Sequence, residues 1–386
     1  MIRSKVAIIK CDNYDEVKVR LAVKRGIDLL GGISCFANTG EKIVLKPNLL
    51  AGDPPEKAVT THPVVFKAVG EIFKSTGANI FYGDSPGMGK PERIAHLAGI
   101  KQVADNLNIT LADFRNAVKI SYPHAILAKQ LKLAKGVVDA DGIVSIPKMK
   151  THGFTRITGA VKNQFGCLPG LQKAEFHVKM PDIYDFSRVL VDINNFLKPR
   201  LYVMDGILAM QGNGPRGGEP VEMKVLLFSK DPVAMDSIFC KLIDLKPEFV
   251  PYMKFGRESG LGTDSYNEID IVGDNIKGLI NKSFKVTRKP PSQFISARSF
   301  PPFLKNLISP KPVIIYEKCV NCGSCIEQCP VLPKAILWPG GKKDKKPIYN
   351  YKLCIRCFCC QEICPEKAIY IKNPLLGRII HPYIPE

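Results

Sequence analysis

Two stretches of identical spacing constrain this chain more than anything else in it. They are Cys319-Val-Asn-Cys322-Gly-Ser-Cys325-Ile-Glu-Gln-Cys329-Pro330 and Cys354-Ile-Arg-Cys357-Phe-Cys-Cys360-Gln-Glu-Ile-Cys364-Pro365. Both read C-x2-C-x2-C-x3-C-P. Three closely spaced thiolates on one loop reach three irons of a cube, the fourth iron needs a thiolate from elsewhere, and the proline stops a helix from continuing. In chains with two such runs, the fourth cysteine of each ligates the other cluster. The spacing therefore predicts two [4Fe–4S] clusters, one on Cys319, Cys322, Cys325 and Cys364, the other on Cys354, Cys357, Cys360 and Cys329. Zinc is the competing reading, because C-x2-C pairs also suit it, but two four-cysteine runs ending in proline fit iron–sulfur better. Disulfides between such close cysteines would close strained loops. Cys359 departs from the spacing and is read as a non-ligand, with an exchange of roles with Cys360 as the alternative.

The repeat extends past the thiols. Pro312 and Pro347 precede their first cysteines by the same interval, and Lys334-Ala335-Ile336 and Lys367-Ala368-Ile369 follow the two quartets. This is an internal duplication in which each half needs the other. The segment resembles bacterial-type two-cluster ferredoxins, which implies a small α+β unit.

The chain has 386 residues, room for two or three domains, and its 45% hydrophobic and 24% charged content marks a soluble globular protein. No apolar run is long enough for a membrane span, and Val6–Ile9 is too short for a signal-peptide core. Thirteen cysteines in such a chain point to metal or redox use in a cytoplasmic, low-oxygen setting. The formal charge of +19 favours an acidic redox partner, although that figure counts the cluster thiolates as neutral. Nucleic acid is disfavoured, since no helix-turn-helix or aromatic-basic motif occurs.

From Ser4 to about Ile280, short apolar runs alternate with helical periodicity. Strands are expected at 5–10, 42–46, 79–82, 142–146, 201–204, 224–228 and 268–272, with helices at 15–30, 62–75, 184–197 and from Asp231. That alternation predicts an α/β fold, a mostly parallel sheet with helices on both faces, followed by the ferredoxin-like unit. The expected domains are 1–281 (α/β), 282–312 (a basic, proline-rich linker), 313–375 (the cluster unit) and 376–386 (a tail). Cys11, Cys35 and Cys240 are read as core cysteines, and Cys167, in the Gly-rich loop, as buried and inert, with a reactive thiol as the alternative.

Ligands of open α/β sheets bind beyond the carboxyl ends of strands. Here those ends carry Lys46-Pro47-Asn48, Gly83-Asp84-Ser85, Asp205-Gly206 and a cationic stretch read as a loop, Lys148 to Gly170, with a further Gly-rich loop around Arg216. Such a set suits an anionic small molecule. His152, Lys150 and Asp84 are the candidate catalytic groups, and Lys46, Asn48, Lys148, Lys162 and Arg216 the candidate ligand-binding ones. No nucleophile elbow, phosphate loop or dinucleotide fingerprint occurs. Residues Lys5 to Val272 resemble the family labelled "domain of unknown function 362". The resemblance rests on Lys46-Pro47-Asn48, Gly83-Asp84-Ser85, Pro147 to His152, Lys162-Asn163 with Gly166, and Asp231-Pro232-Val233-Ala234-Met235-Asp236. It implies architecture and a frequent ferredoxin segment, not a substrate. The expected function is iron–sulfur electron transfer, as an oxidoreductase that exchanges electrons with a ligand on the α/β domain. The alternatives are a non-catalytic carrier that docks a partner enzyme and a cofactor or metal-centre maturation factor.

Overall fold

The computed structural model describes residues 3–170, 172–180, 182–289, 306–307, 309–372 and 374. The central sheet contains β1 (Ser4–Lys10), β2 (Lys42–Pro47), β3 (Asn79–Tyr82) and β4 (Thr110–Leu111). A separate hairpin, β5 (Ala117–Ser121) with β6 (Gln130–Ala134), precedes β7 (Gly142–Ile146), β8 (Lys148–His152) and β9 (Arg156–Thr158). The sheet is completed by β10 (Leu201–Gln211), β11 (Glu219–Ser229) and β12 (Ile269–Gly273). Its order is β12-β1-β11-β10-β7-β2-β3-β4. Only β11 runs against its neighbours; every other pairing along that path is parallel. The carboxyl ends of β2, β3, β7 and β10 consequently share one edge.

Period-two alternation puts each strand's side chains on two faces. Ile8, Val44, Ile143, Met204 and Leu227 enter one core with the helices Ile183–Leu197 and Pro232–Leu242. Ile9, Leu45, Val144, Val203 and Phe228 enter the other with Glu16–Leu29 and Pro63–Lys74. Asp15 caps Glu16–Leu29, Asp182 caps Ile183–Leu197, and Asp231 caps Pro232–Leu242 by accepting from the amides of Val233 and Ala234. Gly77 holds φ +77° just past the second helix, the left-handed turn expected there. The expected α/β architecture with helices on both faces is the observed one.

Three local expectations change. Lys148–His152 is not loop. After Pro147 the chain resumes as β8, which pairs in parallel with β10 and antiparallel with β9. The reason is that β10 extends to Gln211, well beyond the apolar run at 201–204, and offers a free edge. The β5–β6 hairpin alternates exposed and buried residues, a weak apolar signal that periodicity missed. Cys35 is exposed rather than core, whereas Cys11, Cys167 and Cys240 are buried.

The C-terminal unit pairs β13 (Lys311–Ile314) with β16 (Ile369–Lys372), and β14 (Ile336–Leu337) with β15 (Ile348–Tyr349). Its small core joins Ile314, Ala335, Ile336, Ala368 and Ile369 to cysteines, apart from the two larger cores. The expected linker at 282–312 lies largely outside the described residues, and so does the tail at 376–386. Residues 282–289 pack on the α/β unit. Phe284 is wholly buried, and the Arg288 guanidinium donates to the carbonyl oxygens of Ile243, Asp244, Lys282 and Phe284. A chain truncated after Lys289 is therefore expected to unfold cooperatively in urea. A chain cut after Asn281 loses Phe284 and should be less stable by about 3–5 kcal/mol. Equal midpoints for the two would refute that role for Phe284.

Candidate active site at the seam with the cysteine-rich unit

The cysteine-rich halves repeat their backbone as well as their spacing. Asn321 and Arg356, each the second residue between the first two cysteines, have φ of +55° and +65°. Gly323 and Phe358, each after the second cysteine, have φ of +84° and +61°. These left-handed residues turn each loop so that its thiols converge. One small cleft is lined by Cys319, Cys322, Cys325 and Cys364, another by Cys329, Cys354, Cys357 and Cys360. Each therefore collects three cysteines from one half and the fourth from the other. The amides of Ala335 and Ala368 donate to Cys329 Sγ at 3.4 Å and Cys364 Sγ at 3.3 Å, the duplicated Lys-Ala-Ile serving each fourth sulfur alike. The Tyr349 hydroxyl donates to Cys360 Sγ at 3.1 Å. Four thiols with N–H and O–H donors around them fit a cubane cluster, whose sulfurs accept such hydrogen bonds.

The two clefts differ in surroundings. Cys322 is exposed and Cys319 partly so, whereas Cys329, Cys354 and Cys360 are buried. Cys359 lines neither cleft. It faces a larger cavity of about 480 Å³, which opens between the cysteine-rich unit and the carboxyl edge of the sheet.

That cavity has two walls. The α/β wall carries Asn48, Asp84, Lys150, His152, Thr158, Lys162 and Lys173, with Leu50, Met88, Phe114 and Phe165 as apolar surface. The other wall carries Glu327, Gln328, Cys359, Glu362 and Ile363. The seam is pinned by named contacts. Arg216 grips Asp53 through Nε at 2.6 Å and donates through Nη1 to the Ile363 carbonyl at 2.5 Å. Gln361 Nε2 donates to Asn213 Oδ1 at 2.6 Å, and Lys367 Nζ to the Gly218 carbonyl at 2.6 Å.

Beneath the cavity, Lys46 Nζ lies 2.8 Å from Asp84 Oδ1 with both side chains almost fully buried. Asp84 Oδ2 accepts from the Leu49 amide at 2.7 Å. Gly166 is obligatory there, since a Cβ would stand 1.9 Å from Asp84 Oδ1. Asn48 Oδ1 accepts from Lys150 Nζ at 2.8 Å, and Asn48 Nδ2 donates to Asn163 Oδ1 at 3.2 Å. Lys150 also donates to the Val59 carbonyl at 2.7 Å, which leaves one of its three N–H groups for the cavity. Burial, together with Lys162 and Lys148, pushes the Lys150 ammonium down to about 7, against the pull of Asp84 and Asp53. Lys173 is pushed down to about 7 by burial too, but Ser85 and the Leu168 carbonyl accept all its donors.

Lys162 differs. Its side chain is nine-tenths buried, and its ammonium stands 4.9 Å from the Phe165 ring centre and 5.4 Å from that of Phe186. No hydrogen-bond acceptor within the described residues meets it. Burial lowers its pKa, with Glu362 and Cys359 opposing. Thr158 Oγ1, buried and also without a hydrogen-bond partner among the described residues, lines the same cavity. Thr158 is the register partner of Lys150 across β8 and β9. His152 accepts at Nδ1 from the Phe154 and Thr155 amides, which assigns the proton to Nε2, 3.4 Å from Glu362 Oε1.

The structure thus brings Asn48, Asp84, Lys150, His152 and Lys162 to one cavity. It places Lys46 behind them, Arg216 in the seam, and Lys148 in a separate buried network. Lys148 Nζ lies 2.8 Å from Asp205 Oδ2 and 3.0 Å from the Tyr14 hydroxyl, and the Tyr14 ring stacks on His62 at 3.5 Å. Asp84, whose two oxygens face Lys46 and an amide, holds Lys46 in place. Sequence reasoning did not single out Thr158 or Lys173, nor Glu327, Gln328, Glu362 and Ile363 on the facing wall, and Asn163 entered it only through the family resemblance. Nothing local in the sequence says that the helix Cys359–Ile363 puts Cys359 and Glu362 on the seam cavity, with the Cys359 thiol also touching that of Cys357. Cys167, buried with its thiol pushed up to about 12 by desolvation, is packing. Among the described residues no helix is long and apolar enough to cross a membrane.

Two family models match separate parts of the chain. A family model described as "Domain of unknown function (DUF362)" matches residues 43–241, and one described as "4Fe-4S dicluster domain" matches 311–365. The chain is similar to the thylakoid-associated protein sll1697 of Synechocystis sp. (strain ATCC 27184 / PCC 6803 / Kazusa), 32% identical over 262 residues, 68% of this chain and 81% of that one. Two solved structures are similar in part. The lactate racemase apoprotein from Thermoanaerobacterium thermosaccharolyticum has 14% identity and a TM-score of 0.40 over 63% of this chain and 57% of its own. A protein from Thermotoga maritima has 14% identity and a TM-score of 0.34 over 66% and 61%. This chain therefore spans less than two thirds of either solved chain.

Proposed function

Because this chain belongs to the DUF362 family and ends in a 4Fe-4S dicluster segment, we propose that it is an iron–sulfur electron-transfer protein acting on an organic anion held in the seam cavity. The reading includes two clusters, one per cysteine-lined cleft. Bound clusters would supply one-electron transfer. The chain's own residues bind and orient the ligand. The observation that carries the reading is that one cavity is walled on one side by Lys150, Thr158 and Lys162 and on the other by the peptide that bears Cys357 and Cys360. An anionic head accepts from Lys162 Nζ, Thr158 Oγ1 and the remaining Lys150 N–H. An apolar body rests on Phe114, Phe165, Met88 and Ile363, and His152 Nε2 carries a proton between the two walls.

The test is calorimetric titration of anaerobic protein with benzoate and phenyl phosphate as minimal probes. Lys162→Met should lower affinity about tenfold or more, the value of a charged hydrogen bond, with iron content unchanged. Affinity should fall as pH rises through about 7, because Lys150 and Lys173 lose their charge and Glu362 gains one there, and Lys150→Met should make that profile shallower. The same lowered pKa adds stability as pH climbs from 7 toward 10.5, where the unfolded chain still binds the proton. Binding indifferent to both variants would place the ligand elsewhere.

A further inference from the structure

The two cysteine clefts differ in exposure at one end, since Cys325 and Cys364 are as buried as Cys329, Cys354 and Cys360 while Cys322 alone is exposed. Cys357 and Cys360 belong to the segment that walls the seam cavity, whereas Cys319 and Cys322 meet solvent. The surface around that solvent-facing end is unusual in two ways. Tyr316 and Val320 are exposed apolar side chains, 48% and 60% accessible, flanking the loop that starts at Cys319. Beside them runs Lys342-Lys343-Asp344-Lys345-Lys346, with every residue exposed. Two hydrogen bonds lay this segment on the cysteine loop. Lys346 Nζ donates to the Cys319 carbonyl, and Asn321 Nδ2 donates to the Lys343 carbonyl at 3.4 Å. Lys318 adds a fifth exposed cation, against the carboxylates of Glu317 and Asp344.

A run of lysines is ordinarily a solvated face. This one is held by hydrogen bonds against the only solvent-facing cysteine loop among the described ligand candidates, a loop flanked by two exposed apolar side chains. That arrangement suits a transient docking surface, on which charge steers a partner of opposite sign. We infer that the surface formed by Tyr316, Val320, Lys318 and Lys342–Lys346 docks a small acidic one-electron carrier protein, which exchanges its electron through the Cys319–Cys322 end. In the reducing direction the carrier would be oxidised by one electron, which a cluster held by Cys319, Cys322, Cys325 and Cys364 would take up. No atom is transferred. The inference extends beyond the seam cavity and holds whatever that cavity binds.

The probe is an acidic [2Fe–2S] ferredoxin, and the primary readout is its dissociation constant for the anaerobic holoprotein at several salt concentrations. Lys342→Glu/Lys343→Glu/Lys345→Glu should weaken binding at least about tenfold at low salt and shrink the salt dependence. Iron content and reduction by dithionite, which needs no docking, should stay as in the parent chain. The matched reversal Lys18→Glu/Arg20→Glu/Lys24→Glu, on the helix Glu16–Leu29, should leave affinity close to the parent's. Equal weakening by both triples would assign the effect to net charge and overturn the inference, as would unchanged affinity in the first. If the first triple loses iron, the neutral Lys343→Gln/Lys345→Gln variant serves, with a smaller loss of affinity expected and an unchanged one refuting.

Discussion

Replacing Asp84 by Ala is expected to destabilise the α/β unit by about 3–5 kcal/mol, the cost of stranding the charge of a buried pair. Lys46 is fully buried and its ammonium sits 2.8 Å from the carboxylate, so the replacement leaves a cation whose other near acceptors are the Pro47 carbonyl at 3.2 Å and Asn163 Oδ1 at 3.3 Å. The Leu49 amide loses its acceptor in the same step. Removing both charges tells a different story. A Lys46→Met/Asp84→Leu chain should recover much of the loss, because a buried pair costs nearly as much to desolvate as it returns. Urea unfolding at constant m-value measures both. A single variant within about 1 kcal/mol of the parent would show that water or rearrangement already compensates the pair.

Replacing Cys329 by Ser should remove about half of the iron and sulfide, leaving about four of eight irons per chain, although Cys319, Cys322 and Cys325 remain intact. The missing cluster should be the one lost on replacing Cys354, in the other half of the duplication, and not the one lost on replacing Cys325. That outcome follows from crossed ligation, in which Cys329 lines the cleft of Cys354, Cys357 and Cys360, and Cys364 lines that of the first half. Cys359→Ser should keep full iron content, since Cys359 faces the seam cavity. Iron and sulfide analysis with electron paramagnetic resonance of the reduced protein distinguishes the two clusters. If the Cys329 and Cys325 variants lose the same signal, each half ligates its own cluster and the crossing is wrong.

Both predictions begin from residues that sequence inspection singles out, yet they differ in how much the sequence says about them. Cluster ligation is a local rule with one long-range clause. Three cysteines reach one cube because of spacing, and duplication supplies the fourth from the partner half. The α/β class was similarly legible, because strands buried on both faces read as short apolar runs and helices as longer periodic ones. The strands that were misjudged, β8 and the extensions of β10 and β11, are polar where they leave the core. Lys148–His152 carries almost no apolar content but is wholly buried, each cation neutralised or hydrogen-bonded by a residue far along the chain. Hydrophobic periodicity has no signal for a strand whose burial is stabilised by ion pairs.

By itself, then, the sequence determined the cysteine quartets, the duplication, the alternating α/β pattern and the set of cations gathered at strand ends. These follow from spacing, periodicity and turn chemistry, which act over a few residues. Tertiary structure alone decided which cations meet a ligand. Lys46, Lys148 and Lys162 look equivalent as lysines in polar stretches. Their positions in the fold give the first Asp84, the second Asp205, and the third an open cavity. The same holds for Cys359 and Glu362, whose direction depends on how the C-terminal unit docks through Arg216, Gln361 and Lys367. A charge's fate in a fold depends on which counter-charge folding brings within a few ångströms, and here Asp84 lies about forty residues from Lys46 and Asp205 about sixty from Lys148.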